Sequence, residues 1–315
     1  MKDYILKIPL PISGLMLGIL GLGNLLMDIA PVVRNVCGII GTTIALLLII
    51  KTILDPGSLI VDLKIPVLAS VSGTFPMSLM LISGYIKPYI GELPSLILWF
   101  IAIIMHVSLM PYFTIKFMRK PDMNNVYASY FIVYVGIVIA SVTSPIFERR
   151  DLGEIIFWFG LVTFFLLLVF IGYRYIRYRP VEEPFRPLFC IMAAPANLCL
   201  AGYMHAVEHN SIVIISILGT IGAILYLMVL IRLPSLLKIR FYPSYSAFTF
   251  PFVITALALQ YTFTELTEYG YPTVLLHIIY NVQIVIAVVF VTYVFIRYVI
   301  FLISLAVKEE KQNID

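Results

Sequence analysis

Residues 240–265 read RFYPSYSAFTFPFVITALALQYTFTE. Between Arg240 and Glu265 lie 24 residues without a charge, the length of a bilayer-crossing helix. In their middle stands Phe248-Thr249-Phe250-Pro251-Phe252, a proline directly preceded by phenylalanine. Inside a helix, proline frees a backbone carbonyl, and lipid offers that group no donor. The bend must therefore be buried in protein or face a water-filled cavity. The segment reads as a conduit-lining helix with an aromatic side chain at its weak point. A core aromatic that fills the kink is the other reading of Phe250.

The rest of the chain is built of similar material. It is 61% apolar and 12% charged over 315 residues, a composition that excludes an ordinary soluble domain and indicates a polytopic membrane protein. Ten apolar stretches are long enough to cross: roughly 8–27, 33–54, 65–86, 93–115, 124–145, 152–173, 185–206, 210–231, 241–264 and 272–303. They leave no room for a soluble domain, so residues 1–315 are expected to form one transmembrane unit. The first stretch lacks a clear small-residue cleavage site and reads as an uncleaved span rather than a signal peptide.

Charge placement supports ten. With both termini on one side, that side holds 17 of the 21 Lys and Arg residues, and only Arg34, Lys87, Arg149 and Arg150 fall opposite. Such a bias sets the cytoplasmic side, so both termini are expected in the cytoplasm and the chain in the cell membrane. The inner face is then net positive and the outer face net negative. This sets topology, and a positive rim would also concentrate anions at the inner mouth.

The odd stretches carry small residues and prolines: Pro9, Pro11, Gly14 and Gly18 in the first, Gly73 and Pro76 in the third, Gly136 in the fifth, Pro195 in the seventh, Pro251 in the ninth. Stretches 2, 6 and 8 have no interior proline, and the fourth has Pro111 near its cytoplasmic end. Small residues permit close backbone approach, whereas Leu/Ile/Val/Phe surfaces suit lipid. Five helical hairpins, odd helices inside and even helices outside, are the simplest arrangement.

No Asp, Glu, Lys or Arg falls deep in a predicted span, although coupled carriers usually keep such a group as relay or counter-ion. That favours a passive route lined by dipoles, hydroxyls and aromatic rings. His106 in the fourth span reads as packed and hydrogen-bonded. His205, Glu208 and His209 spell H-x-x-E-H, but they fall at a span end without a third ligand and read as a surface turn rather than zinc chemistry. Cys37, Cys190 and Cys199 form no C-x-x-C pair and read as small packing residues. Gly14 and Gly18 make a G-x-x-x-G that suits helix packing, conduit lining or both. No catalytic set, resident metal, cofactor or nucleic-acid patch is expected.

The span pattern and three strings resemble the tellurite-resistance/dicarboxylate transporter family, which includes bacterial tellurite-resistance proteins, plant slow anion channels, and malate and sulfite permeases. The strings are Ile8-Pro9-Leu10-Pro11 with Gly14 and Gly18, Ala194-Pro195-Ala196 with Cys199 and Tyr203, and Ser246-Ala247-Phe248-Thr249-Phe250-Pro251-Phe252. The resemblance implies ten helices in a quasi-fivefold ring, odd helices around a pore without charged selectivity groups, and homotrimers of separate pores. It also implies that Phe250 occludes the conduit and that Gly14, Gly18, Pro76, Pro195 and Pro251 shape it. Transport of small inorganic or organic anions follows, with proton-coupled transport of C4-dicarboxylates such as malate, or of sulfite, as the alternative. The fifth span departs from the family pattern in having no mid-helix proline. The long basic tails of the regulated plant channels are not in the sequence, so no receiver for control by phosphorylation is expected.

Overall fold

A computed structural model describes residues 2–178 and 180–312, with side chains described for 4–178 and 180–305. Of the basic residues counted above, Arg179 and the side chains of Lys2, Lys308 and Lys311 lie outside the described residues. Every regular element among the described residues is helical.

Among the described residues, eight helices are long and apolar enough to cross a membrane. We label them α2 (Pro31–Leu54), α3 (Pro66–Ile90), α4 (Glu92–Met118), α6 (Arg150–Arg177), α7 (Glu183–Ala206), α8 (Ile212–Leu236), α9 (Pro243–Glu268) and α10 (Val274–Leu305). The first and fifth expected spans are shorter. α1 (Ile12–Leu25) has 14 helical residues, because Pro9 and Pro11 delay its start. α5, residues 130–147, is a chain of single turns: Tyr130–Tyr134, Gly136–Val138, Ile139–Thr143 and Ser144–Phe147. It breaks at Gly136, where a Cβ would lie 2.7 Å from the Met77 sulfur and 3.1 Å from the His106 ring. A glycine that admits neighbouring side chains does there what proline does elsewhere.

Burial divides the long helices into two classes. In α3, α7 and α9 the buried share is 83%, 89% and 72%; in α2, α4, α6, α8 and α10 it is 33%, 28%, 33%, 33% and 22%. α1 and α5 are almost wholly buried as well. A helix apolar all round can be either enclosed or lipid-facing. Small residues decide which, since they let backbones approach. In the order of packing, α1 touches α3, α3 touches α5, α5 touches α7, α7 touches α9, and α9 returns to α1. Each even helix covers a seam: α2 packs on α1 and α3, α4 on α3 and α5, α6 on α5 and α7, α8 on α7 and α9, α10 on α9 and α1.

Buried hydroxyls and one amide join the inner elements. Ser13 and Thr74 share a hydrogen bond of 2.7 Å, Ser70 donates to Ser129 at 2.7 Å, and Asn197 donates to Thr255 at 3.1 Å. Such bonds contribute about 0.6 kcal/mol each in a membrane setting. A lysine ties down backbone at each end of the bundle. Lys51 donates to the Ile8 carbonyl at one end, and Lys87 donates to the Ile146 carbonyl at the other, where it also pairs with Glu92 at 3.7 Å.

Three sequence expectations come out differently. Pro251 does not interrupt a helix; it sits in the first turn of one. α9 consists of a tight 3₁₀ stretch, Pro243–Phe248, a turn at Thr249, and an α-helix, Phe250–Glu268. Proline in a first turn costs no hydrogen bond, because that N–H has no helical partner anyway. α6 runs on to Arg177, so Arg174, expected in a loop, is helical and buried. Finally, His205, expected in a surface turn, stands in the last turn of α7, held by the Ala201 carbonyl at 2.9 Å and the Tyr261 ring.

Candidate functional site: a small cavity among the inner helices

A cavity of about 50 Å³ lies where the five inner elements meet. Gly14 and Leu17 of α1 border it, with Thr74 and Met77 of α3, Phe131 and Gly136 of α5, Ala194, Pro195 and Leu198 of α7, and Ser246, Phe250 and Pro251 of α9. No charged side chain lines it. A water occupies about 30 Å³ in the liquid, so the space admits one or two small species and no hydrated ion.

Local backbone geometry puts Phe250 there. Thr249, at φ −105° and ψ −84°, belongs to neither the 3₁₀ stretch nor the helix. Its hydroxyl lies 2.7 Å from the Ser246 carbonyl and 3.1 Å from the Gly14 carbonyl and donates across the gap to α1. The turn separates three phenylalanines that stand two residues apart. Phe248 packs on Tyr245, and Phe252 stacks on Phe290 of α10 with centroids 4.8 Å apart. Phe250, 6% exposed, faces the cavity and enters none of the ring contacts described.

The glycines of α1 seat this turn. A Cβ on Gly14 would meet the Ser246 hydroxyl at 3.0 Å, and one on Gly18 would meet Thr249 at 2.4 Å and the Phe250 nitrogen at 3.0 Å. One on Gly21 would meet the Phe250 ring at 3.4 Å. Gly14 therefore both packs and lines, and Gly18 packs. Gly21 is a residue of the site that sequence reasoning did not single out, although its place one turn beyond Gly18 was the available signal. Leu17, Met77 and Leu198 were missed because nothing separates a lining aliphatic residue from a packing one in sequence. Pro76 lies elsewhere: it borders a cavity of about 440 Å³ between α2, α3 and α4.

Three α-helical stretches begin at the small cavity, at Thr74, Ala194 and Phe250, and a fourth, from Ile12, borders it at Gly14. Each helix start carries roughly half a positive charge from aligned peptide dipoles. Preceding carbonyls take up first-turn N–H groups, as in Gly14 to Pro11 at 3.0 Å and Phe252 to Thr249 at 3.1 Å. The cavity thus offers a positive field, the hydroxyls of Thr74 and Ser246, and aromatic and aliphatic walls. It has no group that exchanges protons near neutral pH.

On the basic side a wider recess of about 270 Å³ shares Val71, Leu188 and Ser246 with the small cavity. Lys7, Lys51 and Asp62 line it. Burial raises the Asp62 carboxyl above its ordinary range, and Lys51 lowers it part of the way back. His106, by contrast, is wholly buried with Nε2 3.1 Å from the Val133 carbonyl and does not itself border the cavity. The three cysteines are free and buried.

Compared with protein families, residues 8–299 match the family described as voltage-dependent anion channel. A search of the curated proteins found no match to the chain. The matched range covers all five inner elements and every residue that borders the small cavity.

Proposed function

The chain belongs to the voltage-dependent anion channel family, and from that premise we propose that it passes small anions passively through a conduit occluded by Phe250. Family membership supports anion transport across a membrane. The observation that carries the finer reading is the small cavity itself, bounded by all five inner elements, free of charged side chains, and walled in part by the Phe250 ring. In this reading the closed order of packing among α1, α3, α5, α7 and α9 is a quasi-fivefold ring, and the conduit is its axis. Gly14, Pro195 and Pro251 shape the narrow part. Gly18 sets the distance between α1 and the turn at Thr249, and Pro76 bends α3 from behind.

Helix-start dipoles and hydroxyls then favour anions at the constriction, while Lys7 and Lys51 draw them into the inner mouth. A proton-coupled dicarboxylate or sulfite carrier would need a titrating group at the constriction. The lining offers Thr74 and Ser246 only, so the passive reading is preferred.

Ten crossings, both termini in the cytoplasm and location in the cell membrane belong to the same proposal. α1 and α5 fall short of about 20 helical residues, but tight turns rise about 2.0 Å per residue against 1.5 Å in an α-helix. On that basis α5 reaches roughly 30 Å. Irregular backbone at membrane depth is tolerated where protein encloses it, and both segments are enclosed. One chain forms one complete conduit, so the homotrimer implied by the resemblance would hold three separate routes.

The test is to reconstitute the full chain in a planar bilayer and record current with chloride, nitrate and malate, comparing wild type with Phe250→Ala. Larger anion conductance in the variant is expected. Absent conductance in both, together with malate uptake driven by a proton gradient, would sink the proposal.

A further inference from the structure

Among the described residues, Arg174 is the only Asp, Glu, Lys or Arg that is buried. It stands near the end of α6 and is 2% exposed. Its Nη2 donates to the Asn124 carbonyl at 3.2 Å, and its guanidinium lies 5.0 Å from the Tyr175 ring centre. Its Nε has no hydrogen-bond partner. The positive-inside bias explains why an arginine stands at this end of the bundle. It does not explain why one is withdrawn from water with a donor unused, an arrangement that costs several kcal/mol unless a charge partner arrives.

Arg174 borders a cavity of about 530 Å³ between the ends of α6 and α8 and the start of α7. Two more arginines line the same space. Arg186 of α7 donates from Nε to the Val181 carbonyl at 3.1 Å, and Arg232 of α8 lies 5.5 Å from the Phe189 ring centre. Both are exposed. No carboxylate lines the cavity, and none of the three arginines is in an ion pair among the described residues. Glu183, at the start of α7, lies 4.0 Å from Arg240 instead.

We propose that this cavity is a binding site for a phosphate group, carried by an anionic lipid headgroup or by a free phosphate. Guanidinium forks match phosphate oxygens in pairs, and charge-assisted bonds of this kind are about twice as strong as neutral ones. Arg174 is the fixed donor, held by Asn124 and Tyr175. Arg186 and Arg232 are the mobile donors that close over the ligand from the neighbouring helices. Ile176, Met228 and Leu236 supply an apolar wall beside the charges. The site is distinct from the small cavity: the two linings share no residue. It stands whether or not Phe250 is a gate.

The experiment uses the delipidated full chain in detergent, with the double variant Arg186→Gln/Arg232→Gln, both side chains being exposed. Native mass spectrometry measures retention of phosphatidylglycerol against diacylglycerol, and thermal unfolding is followed with and without inorganic phosphate. Wild type is expected to retain phosphatidylglycerol at least tenfold better than the double variant, with no difference for diacylglycerol. A phosphate-dependent rise in melting midpoint, in wild type only and without lipid preference, assigns the site to free phosphate. Equal retention of phosphatidylglycerol in both proteins, together with equal response to phosphate, overturns the proposal. Arg186→Lys/Arg232→Lys keeps the charge and loses the forks, and should fall between the two.

Discussion

Phe248, Phe250 and Phe252 are chemically identical and two residues apart, yet only the middle ring reaches the cavity. The difference lies in the turn at Thr249 and in what α1 presents to it. Gly18 is the tightest point of that contact, since an added methyl would stand 2.4 Å from Thr249 and 3.0 Å from backbone. Backbone cannot step aside as a flexible side chain can, so Gly18→Ala is expected to destabilise the fold by about 1–3 kcal/mol. A lowered thermal midpoint in detergent measures it. Gly14→Ala meets only a serine side chain at 3.0 Å and should cost less; a midpoint loss as large as that of Gly18→Ala would contradict this ordering. Asp62 yields a pH prediction. Its carboxyl is raised from an ordinary value of 3.8, so the folded protein binds that proton more tightly than the unfolded chain does. Stability from this group is fully present below 3.8 and is lost as pH rises through the raised value. Asp62→Asn should therefore raise the midpoint at neutral pH and weaken its dependence on pH, and it should increase anion current by removing a negative charge from the mouth. A midpoint that falls equally from acidic to neutral pH in both proteins would count against this role. At this scale the site was partly legible. Phe250 beside Pro251 stands out because an aromatic before a proline in a charge-free span is unusual. Arg174 does not, because burial of a residue near a helix end depends on neighbours that no local pattern specifies.

At the scale of elements, four prolines of the inner helices mark where helical stretches begin. Pro66, Pro195 and Pro251 all stand in first turns, and Pro76 lies in the opening turn of its α-helical stretch. The break at Pro251 is visible in the sequence, but the sequence does not distinguish a kink in one helix from the junction of a 3₁₀ stretch with an α-helix. The two differ in consequence. A mid-helix proline distorts its helix by about 3 kcal/mol, whereas one at the start stabilises it by limiting the unfolded chain. Pro251→Ala is thus expected to shift stability by no more than about 1 kcal/mol and to leave the turn at Thr249 in place, since Thr249 is tied to Gly14 independently. Thermal unfolding and single-channel current together check it: a near-wild-type midpoint with unchanged current agrees, and a continuous, conducting helix does not. The fifth element is the least legible. Its break at Gly136 depends on Met77 and His106 arriving from α3 and α4, and no proline signals it.

At the scale of the molecule, the division into inner and outer helices could be read from the distribution of small residues because it obeys one rule repeated five times. Enclosed helices need close approach, and lipid-facing helices need only apolar surface. The number of crossings is a harder quantity, since it depends on whether two short elements traverse the bilayer. α1 and α5 decide it, and they can be tested separately. If α5 crosses, the loop before it and the loop after it lie on opposite sides. If it does not, both lie on one side and every later loop is inverted. Single cysteines at Lys120 and Arg149, both exposed, report this directly, because the three native cysteines are buried. A membrane-impermeant maleimide applied to intact cells should label Arg149→Cys and reach Lys120→Cys only after permeabilisation. Tyr4→Cys and Asp28→Cys make the same comparison across α1, with Asp28→Cys labelled first. Ten crossings require both pairs to split. Equal labelling within either pair would remove that segment from the membrane, reverse the charge bias of the loops beyond it, and take away one wall of the proposed conduit.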